Sequence, residues 1–187
     1  MTDLSKITPP PAMTKLALAG HPAARDAVPA SQFTSTMSTF ANTVTVVTAR
    51  NGEKRLGRTV TAMLSLSAEP PAVLVSITRD AELGAAIERS GGFSLSVLAA
   101  DQKAISDAFA GWGQTERFGP EWTQWNSGQP RLEGAVASLD CALGGVIEMD
   151  THVLYAGIVI HTASFPDRAP LLWHRRGYGA LDTGDAR

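Results

Sequence analysis

The sequence predicts a mainly β protein, a barrel with a few short helical insertions, on three observations. Short segments that are β-branched, or that alternate apolar with polar residues, recur along the chain. The helix-like stretches between them are few and brief. The strand–helix–strand rhythm of a parallel sheet is missing. A length of 187 residues suits one domain with a sizeable core. A composition 44% hydrophobic and 18% charged can bury enough apolar surface to fold.

Residues 1–30 read as a flexible arm, with Pro9-Pro10-Pro11 favouring extended backbone and one short helical turn the most it would form. Residues 31–182 then form the domain, and 183–187 are a frayed end. Ser31 to Ala41 reads as a short helix leading into Thr43-Val44-Thr45-Val46-Val47-Thr48, a strand closed by the Asn51-Gly52 turn. Arg58 to Ser67 reads as one strand and its loop, stopped by Pro70-Pro71. Ala72 to Ile77 is apolar enough for a buried strand. Asp80 to Arg89 reads as a helix ended by Gly91-Gly92.

Phe93-Ser94-Leu95-Ser96-Val97-Leu98 alternates like a strand with one buried face. Asp101 is placed to cap a helix on which Ile105, Ala108 and Phe109 share a face and which Gly111 closes. Trp112 to Pro130 reads as a long irregular excursion holding three of the four tryptophans. Ala135 to Val146 and His152 to Thr162 are two further strands. A last one, Tyr178 to Leu181, follows Leu171-Leu172-Trp173.

Composition excludes several functions. Sixteen Lys and Arg against eighteen Asp and Glu, a net charge of −2, give no basic footprint for nucleic acid. No apolar run reaches the roughly 18 residues of a membrane helix. The lone Cys141 cannot form an internal disulfide, and the four histidines are scattered, so no metal site is expected. With no signal-peptide order at its start, the chain reads as cytoplasmic. Nucleophile-elbow, phosphate-loop and dinucleotide glycine motifs are all missing. What remains suits a domain that binds a cofactor bringing its own reactivity.

Arg58-Thr59-Val60-Thr61-Ala62 and Ser65-Leu66-Ser67 form a hydroxyl-rich stretch. Small residues there let backbone amides approach a flat heteroaromatic ring; the same stretch also reads as a strand with a polar outer face. Arg79, after Ser76 and Thr78, is either a phosphate clamp or an isolated surface arginine. His152, after Glu148 and Asp150, is either a tuned functional histidine or a surface residue. Cys141 reads as a small buried apolar side chain. The tryptophans read as core and interface.

Taken together, these residues resemble a known family. Phe40 to Thr48, Gly57 to Ala62, Ser65 to Pro71, Phe93 to Leu98, Asp101-Gln102, Phe109-Ala110-Gly111, Arg117-Phe118, Leu139 to Cys141, Glu148 to His152, Gly157 to Val159 and Pro170 to Leu172 with Tyr178 stand in family order. They are similar to the short-chain flavin reductases, the reductase components of two-component flavin monooxygenases. The resemblance spans about residues 33–181.

It implies a split β-barrel of Greek-key type that forms a homodimer. It also implies hydride transfer from NADH or NADPH to FMN or FAD, the reduced flavin passing to a separate oxygenase. By motif, Arg58, Thr59, Val60, Thr61 and Ala62 would line the flavin ring, and Ser65, Leu66 and Ser67 would continue toward the ribityl chain. Ser76, Thr78 and Arg79 would lie near the phosphate. His152 would sit near the flavin and nicotinamide as the catalytic residue, and Phe118 and Tyr178 near the ring. The chain departs from the family in having Asp150-Thr151 before His152, Asp80-Ala81-Glu82 after Arg79, and Trp173 where Tyr is frequent. Two other readings of the same barrel are a flavin- or haem-binding module without turnover, and a flavoprotein reducing a corrinoid or quinone.

Overall fold

The computed structural model describes residues 14–79, 82–112 and 116–181. The triple proline, the acidic Asp80-Ala81 and the C-terminal 183–187 therefore lie outside the described residues.

The main sheet carries the β-branched segments. In chain order its strands are β1 (Thr14–Leu16), β3 (Thr45–Asn51), β4 (Lys54–Val60), β5 (Met63–Ala68), β6 (Pro71–Thr78), β7 (Gly92–Val97), β10 (Ala137–Met149) and β11 (His152–Ser164). A short β2 (Asn42–Thr43) pairs with β12 (Leu171–His174), which pairs with β13 (Gly177–Ala180). A two-stranded ribbon joins β8 (Trp122–Gln124) to β9 (Pro130–Leu132). The helices are α1 (Ala30–Met37), α2 (Glu82–Ser90) and α3 (Lys103–Ala110), with a 3-10 turn at Pro22–Asp26.

Strand order in the main sheet is β4-β3-β7-β10-β11-β6-β5, with β1 added in parallel along β10. Its two end strands, β4 and β5, are consecutive in the chain. The sheet curls into a split barrel, and Thr61-Ala62 carries the chain from one lip of the split to the other. The stretch Arg58 to Ser67, read as one strand and its loop, is therefore two strands on opposite edges. Polar, β-branched residues run through the break without a proline or glycine, so nothing local signals it. Ala62 marks the crossing, its carbonyl accepting the Ser76 amide at 3.0 Å.

Two apolar cores flank this sheet. Inside the curl, Val47, Val73, Val75, Ile77, Phe93, Leu95 and Tyr155 pack against Leu83, Ala86 and Ile87 of α2. Outside it, Val44, Val46 and Leu98 meet Ala108 and Phe109 of α3, with Trp122, Leu132 and Leu171. Strand β3 is thus buried on both faces. At Gly157 a Cβ would fall 2.5 Å from the Phe93 ring and 2.8 Å from Cys141 Cβ, so the strands close there only on glycine. Burial, then the nearby Asp140 charge, pushes the Cys141 thiol up to about 12, consistent with an inert packing role.

Three local expectations are corrected. Asp101 does not cap α3: Gln102 occupies that position, and Asp101 pairs with Arg168 instead. The Trp112–Pro130 excursion contains β8 and runs into β9, the two strands of a ribbon. The serines of β7 are buried, because the excursion supplies a partner to Ser94 and Ser138 of β10 one to Ser96. Trp125 Nε1 donates to Ser94 Oγ at 2.9 Å, and Ser127 Oγ donates to Asp140 Oδ1 at 2.8 Å. His161 Nδ1 lies 3.2 Å from Asp140 Oδ2 and its ring stacks on Trp125.

Asp140 sets a pH dependence. Burial raises its carboxyl above the ordinary range, offset in part by the Ser127 and His161 hydrogen bonds. A raised carboxyl favours the fold when protonated, so this stability is present below the ordinary aspartate value and is lost as pH rises through the raised one. Asp140→Asn removes the titration. Urea unfolding is expected to show the variant gaining on the parent as pH rises above the ordinary aspartate range. The opposite slope would contradict that burial penalty.

Candidate functional site

The last turn of α3 lies beside edge strand β4 because Gly57 leaves room for it. A Cβ there would fall 2.5 Å from Phe109 Cε1 and 3.0 Å from Thr48 Cγ2. The β12–β13 hairpin closes the other side. Between them opens a cleft of about 470 Å³ lined by Val44, Arg58, Thr59, Val60, Thr61, Ser106, Ala110, Trp112, Trp173 and Tyr178. Four consecutive residues of the hydroxyl-rich segment and the distant Tyr178 thus share one cavity.

Hydroxyl chemistry and aromatic faces dominate its walls. Thr59 Oγ1 donates to the Ser106 carbonyl at 2.7 Å, tying β4 to α3. Tyr178 Oη donates to Asp107 Oδ1 at 2.7 Å and lies 2.9 Å from Ser106 Oγ. Lys103 Nζ holds the other Asp107 oxygen at 2.5 Å and lies over the Tyr178 ring. The Lys103 and Tyr178 hydrogen bonds keep the Asp107 carboxyl below its usual range. Burial, together with the Asp107 charge, pushes the Tyr178 phenol up. Trp112, 67% exposed, meets Trp173 with centroids 5.8 Å apart, and Trp173 packs edge-on to Tyr178. Such a wall takes a flat heteroaromatic ring: indole faces stack on it, and hydroxyls with β4 backbone meet its edge.

The other sequence-predicted residues lie elsewhere. Ser65, Leu66 and Ser67 are exposed on β5, the opposite edge. Ser76 and Thr78, half-buried on β6, pair with Leu154 and His152 of β11. The Arg79 amide donates to the Thr151 carbonyl at 3.0 Å. Its guanidinium donates to the Met149 carbonyl and pairs with Glu148 at 3.7 Å. His152 is exposed, with Nδ1 2.8 Å from Thr151 Oγ1. Asp150 accepts the Ala19 amide at 2.8 Å, and Lys15 of β1 reaches Glu148 at 3.4 Å. Glu82 turns to Lys54 at 2.8 Å, and that contact lowers its carboxyl. Apart from Ser65 to Ser67 on β5 and the Glu82–Lys54 pair beside β4, this second group gathers at the β6–β10–β11 end of the sheet, and none of it lines the cleft. Phe118 belongs to the outer core, edge-on to Phe109 at 5.0 Å and beneath Arg55.

Sequence reasoning missed Val44, Ser106, Ala110, Trp112 and Trp173. Ser106 and Ala110 fall in a helix read for its apolar face, and the two tryptophans read as core and interface. Their meeting depends on the β12–β13 hairpin folding back across β2, which no local pattern announces. A second cleft, of about 450 Å³, by Arg50, Glu53 and Arg55 contains none of the candidates. Among the described residues no cluster of three or more His, Cys, Asp or Glu could hold a metal ion, and no helix is long and apolar enough to cross a membrane.

The chain is 36% identical over 149 residues to the 4-hydroxyphenylacetate 3-monooxygenase reductase component of Thermus thermophilus, covering 80% of this chain and 95% of that one. It is 32% identical to the FMN reductase (NADH) RutF of Cronobacter sakazakii, covering 80% and 91%. In structure it is similar to the NADH:FAD oxidoreductase SgcE6 of Streptomyces globisporus in complex with NAD and FAD fragments. That match has a TM-score of 0.76 at 30% identity, covering 84% of this chain and 94% of that one. Residues 37–182, holding every strand of the split barrel except β1 and the whole cleft wall, match the flavin reductase like domain, and the chain belongs to that family.

Proposed function

We propose that the protein is an NADH-dependent flavin reductase that reduces FMN or FAD and passes the product to a separate monooxygenase. The observation that carries this reading is the cleft: Arg58 to Thr61, Trp112, Trp173 and Tyr178 converge on one cavity of a size and chemistry suited to a flavin ring. The names of the relatives support the donor and the partner. When bound, flavin supplies the two-electron acceptor and the dinucleotide the donor.

The protein's own task is binding and orientation. Thr59 and Thr61 hold the edge of the ring system, while Trp112 and Trp173 offer stacking faces. Arg58 at the rim supplies a positive charge. Outside the cleft, Ser65, Ser67, Ser76, Thr78 and Arg79 would take the flavin's chain and phosphate, Ser76 being tied to the end of the Arg58–Ala62 segment through the Ala62 carbonyl, and His152 would orient the nicotinamide. For Arg79 to grip a phosphate, its ties to Glu148 and the Met149 carbonyl must loosen.

The reading includes a homodimer. Phe33 and Met37 of α1, with Phe40, and Leu64 and Leu66 of β5 are large apolar side chains left exposed, as a face covered by a second copy would be. It also places the protein in the cytoplasm, where the dinucleotide donor is maintained.

Steady-state oxidation of NADH under argon tests the function. The rate is expected to require added FMN or FAD and to saturate in it, with NADPH compared in parallel. A rate indifferent to flavin sinks the reading. His152→Ala is expected to leave flavin affinity unchanged and to slow reduction about tenfold or more through misplaced nicotinamide. Unchanged turnover and NADH affinity in that variant would remove His152 from the site.

A further inference from the structure

The protons of the Thr59, Ser106 and Tyr178 hydroxyls are committed, and their direction can be worked out. Asp107 is held ionised by Lys103, so its oxygens can only accept. Tyr178 has one proton and spends it on Asp107 Oδ1, 2.7 Å away. Ser106 Oγ, 2.9 Å from Tyr178 Oη, must then be the donor of that pair, because the phenol has no second proton. Thr59 likewise has one proton and spends it on the Ser106 carbonyl at 2.7 Å. Ser106 borders the cleft but is wholly buried, its hydroxyl proton turned to Tyr178. The Thr59 and Tyr178 hydroxyls on the cleft wall therefore have no proton to offer a ligand and can only accept.

We propose that the Thr59 and Tyr178 hydroxyls form an acceptor-only pair on the cleft wall that recognises an N–H group on the edge of the bound ring system, with Ser106 and Asp107 as the positioning residues that set its polarity. The proposal rests on the flavin-reductase reading and deepens it, since both ring systems of that reaction carry such a group. In flavin it is the imide N–H; in the dinucleotide it is the carboxamide N–H of the nicotinamide. An analogue that replaces the N–H by a methyl group leaves buried lone pairs unmatched, and unmatched polar groups are costly.

The test compares kcat/KM for FMN with 3-methyl-FMN, and for NADH with the reduced 3-acetylpyridine dinucleotide, in the parent protein and in Thr59→Val and Tyr178→Phe. The parent is expected to prefer the N–H form of one pair by about tenfold or more. The pair that shows the preference identifies which ring the wall reads. In either variant that preference should fall to about threefold or less, because the acceptor is gone while the shape is kept. A purely steric preference would persist in the near-isosteric valine variant. Asp107→Ala frees the Tyr178 proton to point into the cleft, so it should shrink the same preference. A general loosening of α3 would lower both substrates alike.

Loss of the parent's preference for both pairs overturns the proposal, as does a preference that survives in all three variants. A parent protein that neither binds FMN nor oxidises NADH with it overturns the flavin-reductase reading itself. Normal turnover without discrimination overturns only the polarity of the wall.

Discussion

Phe109→Ala is expected to cost about 3–5 kcal/mol of stability, the largest loss from any single truncation at the cleft. Phe109 is buried at the end of α3, with Phe118 and Trp122 packed on it at 5.0 and 5.2 Å between ring centroids. Its ring also fills the space that Gly57 leaves open on β4. Removing it opens a cavity in the outer core and takes away the support behind the strand that carries Arg58 to Thr61. Urea unfolding should show a lower midpoint, and flavin affinity should fall in the protein that remains folded. Gly57→Ala reaches the same contact from the other side by overfilling it. A variant as stable as the parent would mean that α3 is not what holds β4 in place.

Ala110→Phe is expected to have the largest effect on activity. Ala110 lies on the cleft wall at the C-terminal end of α3, and Gly111 follows it in the left-handed conformation with φ 82°. A phenyl group there occupies the space between β4 and the Trp112–Trp173 pair. A reactant displaced by even an ångström or so loses about a hundredfold in rate, and an excluded one loses more. Reduction of flavin should therefore drop about a hundredfold or more, with the unfolding free energy changed by about 0.5 kcal/mol or less. Full activity in a folded Ala110→Phe protein would move the site away from this cleft.

The parts of the fold legible in the sequence are those where one local pattern decides. The β-branched run at Thr43 to Thr48 became β3 from Thr45 onward, though Thr43 itself pairs with β12 as part of β2; the apolar Ala72 to Ile77 became β6, and the alternating segments near Ala135 and His152 became the long β10–β11 hairpin. The break at Thr61-Ala62 was not legible, since polar, β-branched residues read alike on both lips of a split barrel. Alternation at Ser94 and Ser96 misled because their partners, Trp125 and Ser138, come from distant segments.

The candidate site divides in the same way. Arg58 to Thr61 were visible because they are consecutive and hydroxyl-rich. Tyr178 was singled out only by the family resemblance. Ser106, Trp112 and Trp173 reach the cavity through helix α3 and the β12–β13 hairpin, and only the folded chain joins those to β4.

Anaerobic stopped-flow absorbance of the flavin, with FMN or FAD in excess over protein and NADH added last, tests most directly whether this protein is a reductase of exchangeable flavin. The account predicts rapid bleaching that consumes many equivalents of flavin per protein. Bleaching that stops at a single bound equivalent, or flavin that binds and stays oxidised, would contradict it.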